Sequence, residues 1–263
     1  MTRFVRLFIM VAAVFVLAGS ASAVLVDWSA LNWPAGSLSN SYDVDPANTG
    51  NDVTVTISGD TGQLQPSIVA GNPQTPAITR AFDGGLGTNP YTLELALDLT
   101  SNAQSATFTL DFSALYAAGV SNVSFTIFDI DAANSGGSHY QDVISSIYGT
   151  STTGTQIAPT ITDVGANVSL TGTGLNQILT GQTSTADLGA GSGAANATIS
   201  FNTDNISSIT FTYSSSSMFA DPTYQHIGIY NLDYAVIPES DSMVGACLFL
   251  IGLAAARSRP VTG

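Results

Sequence analysis

Four oxygen-bearing side chains near the middle of the chain have the chemistry of a hard-cation site. Asp129, Asp131, Asn134 and Asp142 fall within one short stretch, Phe-Asp-Ile-Asp-Ala-Ala-Asn-Ser-Gly-Gly-Ser-His-Tyr-Gln-Asp. Calcium takes about six to eight oxygens from carboxylates, amides and carbonyls, and the spacing is not that of an EF-hand. The same side chains would also serve as turn caps on a solvated rim. The sequence therefore leaves calcium open as a candidate cofactor.

Two tryptophans suggest a second kind of site. Trp28 and Trp33 lie close together near one end of the β-rich region. Sugar rings stack on exposed aromatic faces, whereas buried tryptophans fill a core or cover its edge. Carbohydrate binding through Trp28 and Trp33 is thus a hypothesis that depends on their exposure.

Residues able to catalyse hydrolysis are scarce. The region 24–236 has no cysteine and two histidines, of which His139 is predicted to be solvated and His226 to pack on or at the edge of a strand. Its one glutamate, Glu94, is predicted to face outward, about 13 Å along the strand from Asp98. A glycosidase needs two carboxyl groups about 5–10 Å apart. The sequence therefore predicts a protein that is not an enzyme, with a glycoside hydrolase as the least favoured alternative.

Alternating apolar and polar residues indicate the elements that would position these side chains. A period of two is typical of strands with one buried and one wet face, as in antiparallel sheets. Gly-, Asn-, Pro- and Asp-rich turns separate about ten short strands, which favours an all-β antiparallel β-sandwich, jelly-roll-like in its connections. The clearest predicted strands cover 52–58, 91–100, 105–112, 122–131, 197–201, 207–213 and 224–236.

Two of these strands depart from simple alternation. In 122–131 the phase changes at Ile127–Phe128, which places Asp129 and Asp131 on the former core face. Either a bulge shifts the phase there or the strand leaves the core and emerges at a rim. The last strand, 224–236, is apolar on both faces and is predicted to be central in its sheet.

The charge balance excludes one class of partner. Region 24–236 contains 17 acidic residues, no lysine and a single arginine, Arg80, for a formal charge of −16. Nucleic-acid binding requires lysine and arginine, so no nucleic-acid partner is expected. Charged residues make up only 9% of the whole chain. The polar surface is therefore mostly hydroxyl and amide, which is compatible with a hydrated glycan matrix.

The N-terminus has the three parts of a secretory signal peptide. Arg3 and Arg6 precede an apolar run over 7–18, and Gly-Ser-Ala-Ser-Ala ends at Ala23. This arrangement predicts a signal helix, 1–23, with cleavage before Val24. The apolar run is too short to cross a bilayer unaided, because that takes about 20 residues.

The C-terminus carries a second short apolar run. It covers 243–256, after Ile-Pro-Glu-Ser at 237–240 and before Arg257 and Arg259. Basic residues beyond an apolar segment favour a cytoplasmic end, which would leave the large domain outside. A final buried helix of the domain is the alternative interpretation.

The tail, 237–263, resembles a PEP-CTERM sorting domain. The resemblance rests on Pro238, Glu239, the apolar run, and Arg257 and Arg259. It implies a bacterial exported protein that is held at first in the membrane by a C-terminal helix and handled by an exosortase, a membrane-embedded transpeptidase. Proteins of this kind tend to accompany exopolysaccharide production.

These observations predict three parts: a signal peptide at 1–23, a β-sandwich at 24–236 and a sorting tail at 237–263. The function expected first is a structural or interaction role at the cell surface, in the envelope or in an extracellular matrix. The alternative is a carbohydrate-binding module of that matrix, stabilised by calcium if the acidic loop binds it.

Overall fold

The computed structural model describes residues 22–182 and 193–237, and within them regular structure is almost entirely β. Short 3₁₀ turns occur at Trp28–Ala30, Thr61–Gln63, Gly174–Asn176 and Gly193–Ala195. The strands are β1 (Ser22–Val26), β2 (Ser39–Tyr42), β3 (Val53–Gly59), β4 (Ala77–Thr79), β5 (Thr92–Leu97), β6 (Ser105–Asp111), β7 (Val120–Phe128), β8 (Ala132–Ser135), β9 (Ser138–Ser151), β10 (Gln156–Ile157), β11 (Thr160–Thr162), β12 (Val168–Thr171), β13 (Ile178–Gly181), β14 (Ala197–Phe201), β15 (Ile206–Ser215) and β16 (Gln225–Val236).

The strands pair antiparallel in two layers. One layer has the order β2-β3-β6-β15-β9-β13-β12, and the other has the order β11-β14-β7-β16-β5-β4 with β1 also on β16. The layers join where Ile206 of β15 pairs with Val120 of β7. This arrangement confirms the prediction of an all-β antiparallel fold and is consistent with a sandwich. The jelly-roll connectivity stays a prediction.

The core lies between the two layers. Phe125 of β7 and Phe211 of β15 stack across it with ring centroids 6.1 Å apart, and Phe211 stacks on Phe108 of β6 at 4.8 Å. All three side chains are essentially inaccessible to solvent. Burial of apolar area at about 25 cal/mol per Å² is the main stabilising contribution to such a fold.

Most predicted strands are present, and β16 has neighbours on both edges, as its two-sided apolar pattern predicts. It pairs with β7 along one edge and with β5 and then β1 along the other. The sequence pattern does not predict the 14-residue strand β9. Its alternation is broken at Ser146, which has a φ of 50°, and its register with β15 shifts between Thr210 and Thr212. A bulge of this kind moves later apolar residues onto the other phase of the pattern.

A second, smaller packed region covers the outer face of β5 and β16. Phe82 is fully buried there, and a Cβ built on Gly228 of β16 would lie 2.4 Å from its ring. Phe128 stacks on Tyr230 at 5.0 Å. Because this layer lies over the sheet, all six residues of β5 are buried on both faces.

The two ends of the described chain leave the fold side by side. Ser22 of β1 pairs with Val236 of β16. The predicted cleavage before Val24 falls within β1, and removal of the residues before it would keep Val24–Val26 of this strand. The sorting residues Pro238, Glu239, Arg257 and Arg259, and most of the signal peptide, lie outside the described residues. Within 22–182 and 193–237, no helix has the length and apolar character needed to span a bilayer.

Candidate functional site: a cleft where two strands diverge

A cleft opens where β16 changes neighbours. On one edge of β16 the pairing with β5 ends at Ile229↔Leu93, and the pairing with β1 begins at Leu232↔Val26. Tyr230 and Asn231 therefore have no strand partner on that edge. Beyond Val26 the chain turns away into the 3₁₀ turn at Trp28–Ala30. Because β1 and β5 diverge beside β16, a crevice is left between them.

A bulge in β16 shapes the same place. Tyr230 pairs with Thr126 of β7 and Asp233 pairs with Ser124, so β16 carries one extra residue between them. Asn231 lies within this bulge, and its backbone adopts the left-handed conformation with a φ of 55°. Asparagine tolerates this conformation better than most residues. Bulges are common beside functional sites because they redirect side chains.

The cleft has a volume of about 340 Å³ and combines aromatic rings with polar groups. Its walls come from four segments: the end of β1 and the turn after it, the approach to β5, the bulge of β16, and Arg80. The lining residues are 25–29, Arg80, 89–91, Tyr230 and Asn231.

Apart from Asp27, the polar side chains of this cleft make no hydrogen bond or ion pair with the described residues. Arg80 lies over the ring of Tyr91, with its guanidinium carbon 4.3 Å from the ring centroid, and forms no ion pair or hydrogen bond with the described residues. The hydroxyls of Tyr91 and Tyr230 and the amides of Asn89 and Asn231 likewise make no hydrogen bond to described residues. Asp27 accepts the backbone N–H of Ser29 at 2.9 Å and caps the turn. These groups can therefore bond to a ligand.

The structure corrects the hypothesis that Trp28 and Trp33 present exposed stacking faces. The two residues are 2% and 7% accessible, and both rings pack against Tyr42. The Trp33 indole N–H donates to the carbonyl of Ser37 at 2.9 Å. Trp28 does line the cleft, and its buried Nε1 has no hydrogen-bond partner. Trp33 is thus a core residue, and Trp28 contributes a wall and not a stacking platform.

A buried ionic network occupies the outer face of the same strand. His226 of β16 lies between two carboxylates, with Nδ1 3.4 Å from Glu94 Oε1 and Nε2 3.2 Å from Asp129 Oδ2. Glu94 is fully buried, so the prediction that it faces solvent is wrong. Its Oε2 accepts hydrogen bonds from Ser67 at 2.5 Å and Thr79 at 2.7 Å. The cause is the layer around Phe82, whose ring contacts His226 at 4.8 Å.

This network holds a charged histidine. Burial alone would lower the pKa of His226, but hydrogen bonds and charges from Asp129 and Glu94 outweigh it and raise the pKa to about 10. At neutral pH the imidazolium is therefore paired with two carboxylates. The imidazole ring lies between the carboxylates of Asp129 and Glu94. Both oxygens of Glu94 already accept hydrogen bonds, Oε2 from two hydroxyls and Oε1 from the imidazole. The arrangement suits an internal ion pair better than an acid and base acting on a substrate.

The four residues proposed for calcium are divided in the structure. Asp129, Asp131 and Asp142 are buried, so the expected solvated rim is wrong for them. Asp129 adopts a φ of 68°, which turns the chain where β7 ends and keeps both aspartates inside. Asn134 is exposed about 10 Å farther along the hairpin from Asp131, where its Oδ1 lies 3.2 Å from His139 Nδ1. His139 is exposed, as predicted.

Both carboxyl oxygens of Asp142 bond to protein. Oδ2 accepts the backbone N–H of Asp131 at 3.1 Å, and Oδ1 accepts the Tyr213 hydroxyl at 2.8 Å. Burial, followed by the nearby charge of Asp131, raises the pKa of Asp142 well above its usual range. Across 22–182 and 193–237, no three His, Cys, Asp or Glu side chains are grouped so as to hold a metal ion.

Comparisons with known proteins give the following results. No protein-family model matches the chain, and no curated protein matches it. Among solved structures, it is similar to the family 11 carbohydrate-binding module from Clostridium thermocellum in complex with a β-1,3-1,4-mixed-linked tetrasaccharide. The identity is 13% and the TM-score 0.27, over 84% of this chain and 99% of that one.

Sequence reasoning missed most of the cleft. Arg80, Asn89, Tyr91, Tyr230 and Asn231 have no motif in common, and only the pairing of β16 brings them together. One signal was present in the sequence. Arg80 is the sole lysine or arginine between 24 and 236, and a single such residue among 17 acids suggests a specific placement.

Proposed function

We propose that this chain is an exported binding protein without catalytic activity, and that its cleft at the divergence of β1 and β5 accepts a saccharide. The observation that carries the proposal is a set of polar groups in that cleft, beside two tyrosine rings, that have no partner among the described residues. Saccharides offer hydroxyls to such groups and apolar ring faces to aromatic side chains. Clefts that combine aromatic walls with a few directed polar groups are the usual form of small-ligand sites.

The two tyrosine rings of the cleft are held in place by neighbouring side chains. Tyr91 is fixed on one side by Arg80, and Tyr230 is fixed by Phe128. Both rings are half-buried, so little side-chain entropy would be lost when a ligand packs against them. Rigid positioning of this kind lowers the cost of binding.

A glycan-binding measurement with paired variants tests this proposal. Tyr91→Ala removes a ring from the cleft and the support of Arg80, and we expect it to weaken saccharide binding about tenfold or more. Tyr148→Ala removes an equally half-buried tyrosine on β9, outside the cleft, and should leave binding unchanged.

Asn231→Gly and Asn205→Gly form a second matched pair. Both asparagines are exposed and left-handed, with φ values of 55° and 66°, so glycine preserves the backbone in each. We expect weaker binding only for Asn231→Gly. Equal affinities in all four variants, or no binding to any saccharide on an array, would contradict the proposed cleft.

The proposal for localisation rests on the sequence. We propose export through the signal peptide and display at the cell surface or in an extracellular matrix after handling of the tail by an exosortase-type enzyme. C-terminal peptide mass spectrometry on protein recovered from the surface tests it. A mature end near Pro238 supports removal of the tail, whereas membrane-bound protein that keeps Arg257 and Arg259 indicates a simple anchor.

A further inference from the structure

Arg80 is the least expected feature of the cleft. It is the sole lysine or arginine in a region of 17 acids, yet none of those acids in the described chain lies within ion-pair distance of it. An arginine in so acidic a domain has many potential partners. Here its guanidinium carbon lies instead 4.3 Å from the centroid of the Tyr91 ring, and its N–H groups donate to no residue within 22–182 and 193–237.

The chemistry of the guanidinium specifies a ligand. Its carbon lies 4.3 Å from the centroid of the Tyr91 ring, and the N–H donors of a guanidinium all lie in one plane. This planar fork matches the two oxygens of a carboxylate. An uncharged sugar hydroxyl could accept one such hydrogen bond but could not use the fork fully.

The rest of the domain limits how much negative charge a ligand can carry. At physiological salt the Debye length is about 8 Å. Salt therefore weakens the attraction between Arg80 and a carboxylate in contact with it only slightly, whereas it largely removes the repulsion between that carboxylate and distant acids. A chain with a carboxylate on every sugar would place further charges against a domain whose formal charge is −16. Asp27, which also lines the cleft, would repel a second carboxylate directly.

We infer that the cleft selects a saccharide that bears an isolated carboxylate, bound by Arg80, over both its neutral counterpart and a uniformly charged polyuronate. This inference rests on the proposed function and names the ligand class of the same cleft. Asp27 and the amides of Asn89 and Asn231 would then bond to neutral hydroxyls on either side.

Isothermal titration with a matched ligand pair tests this inference on the full exported domain. The pair is a tetrasaccharide with one terminal glucuronate and the same tetrasaccharide with that carboxyl reduced to a hydroxymethyl group. Polygalacturonate serves as the polyanion. We expect the glucuronate form to bind about tenfold more tightly than the reduced form, and polygalacturonate to bind more weakly than the glucuronate form.

Two substitutions should act in opposite directions. Arg80→Gln should abolish the preference for the charged ligand, so that the charged and reduced forms bind with the same affinity. Asp27→Asn, which can still cap the turn, should strengthen binding of the charged ligand alone. Arg80→Lys keeps the charge but loses the fork, and should retain only part of the preference.

The outcomes separate the two proposals. Equal binding of the charged and reduced ligands, or a preference that survives Arg80→Gln, overturns the role of Arg80 and leaves the saccharide cleft in place. Tighter binding of polygalacturonate than of the single glucuronate overturns the limit on charge. If no saccharide of either kind binds, both the cleft and its selectivity fail.

Discussion

Strand β16 carries two polar sites about four residues apart that differ in one respect. At His226 each charged group is paired with another inside the protein. At Tyr230 and Asn231 the side chains of Arg80, Asn89 and Tyr91 nearby form no hydrogen bond or ion pair within the described part of the chain. Unpaired polar groups next to a cleft cost little while water reaches them, but they gain from a ligand that replaces the water.

The two sites differ in residue type as well as in bonding. A histidine between two carboxylates has the residue types of a catalytic site, but its network is internally complete. The residues of the cleft are individually ordinary, and their arrangement leaves bonds to be made. Unsatisfied bonding capacity is therefore a better indicator of binding than the presence of reactive residue types.

The largest expected effect concerns Trp33, which the comparison assigns to structure and not to binding. Trp33→Ala should lower the free energy of unfolding by about 3–5 kcal/mol, since it removes a buried ring and leaves a cavity. Urea denaturation measures this loss. A variant of unchanged stability with lost saccharide binding would move Trp33 from the core to the site.

His226→Gln tests whether the ionic network is structural. It leaves two carboxylates buried without a cation, so we expect a loss of about 3 kcal/mol near neutral pH. The folded pKa of about 10 lies above the unfolded value of 6.5. The stabilisation is therefore complete below about pH 6.5 and is lost as the pH rises through about 10.

Denaturation curves at about pH 6 and above pH 10 measure this pH dependence. His139→Gln is the matched control, because His139 is exposed, and its effect should stay within about 0.5 kcal/mol. A constant difference between His226→Gln and the wild type at both pH values would show that the histidine acts through packing alone.

Asp142→Asn tests a second buried carboxyl group, which has no cation comparable to His226 beside it among the described residues. Because the folded pKa of Asp142 is raised, its ionisation opposes folding as the pH rises from its unfolded value toward the folded one. We expect the variant to lie within about 1 kcal/mol of the wild type at about pH 4 and to become relatively more stable by pH 7. The opposite trend would show that the carboxylate form is the stabilising one.

The smallest expected effect concerns calcium. Because Asn134 is remote from Asp131 and protein donors occupy Asp142, we expect the melting temperature to be the same in EGTA and in millimolar Ca²⁺. Differential scanning fluorimetry measures it. A rise with Ca²⁺ would restore a cation site, since a ligand bound to the native state must stabilise it.

The sequence predicts which face of a strand is buried, but it predicts much less about which other segments pack against that strand. Alternation correctly predicted that Leu93, Leu95, Leu97 and Leu99 point into the core. It failed at Glu94 because a loop carrying Phe82 covers what would be the wet face, and no local pattern encodes this contact. It failed at β9 because the left-handed Ser146 changes the phase within one strand.

The candidate site was harder to predict for the same reason. Its walls come from segments separated by up to about two hundred positions, and they meet only because β1 and β5 share one edge of β16. Trp28 was identified by residue type, but its burial and role depend on that pairing. Arg80 was conspicuous by composition, yet nothing local predicted its position on Tyr91.

The pairing of β16 also determines how the domain would bear a pulling force. If the tail beyond 237 holds the protein to an envelope or matrix, tension enters along β16, which is hydrogen-bonded to β7 on one edge and to β1 and β5 on the other. Drawing this strand out lengthwise would require several ladders to shear together, whereas an edge strand could peel away one bond at a time. Attachment through β16 would therefore suit a domain that must stay folded while its ligand is under strain.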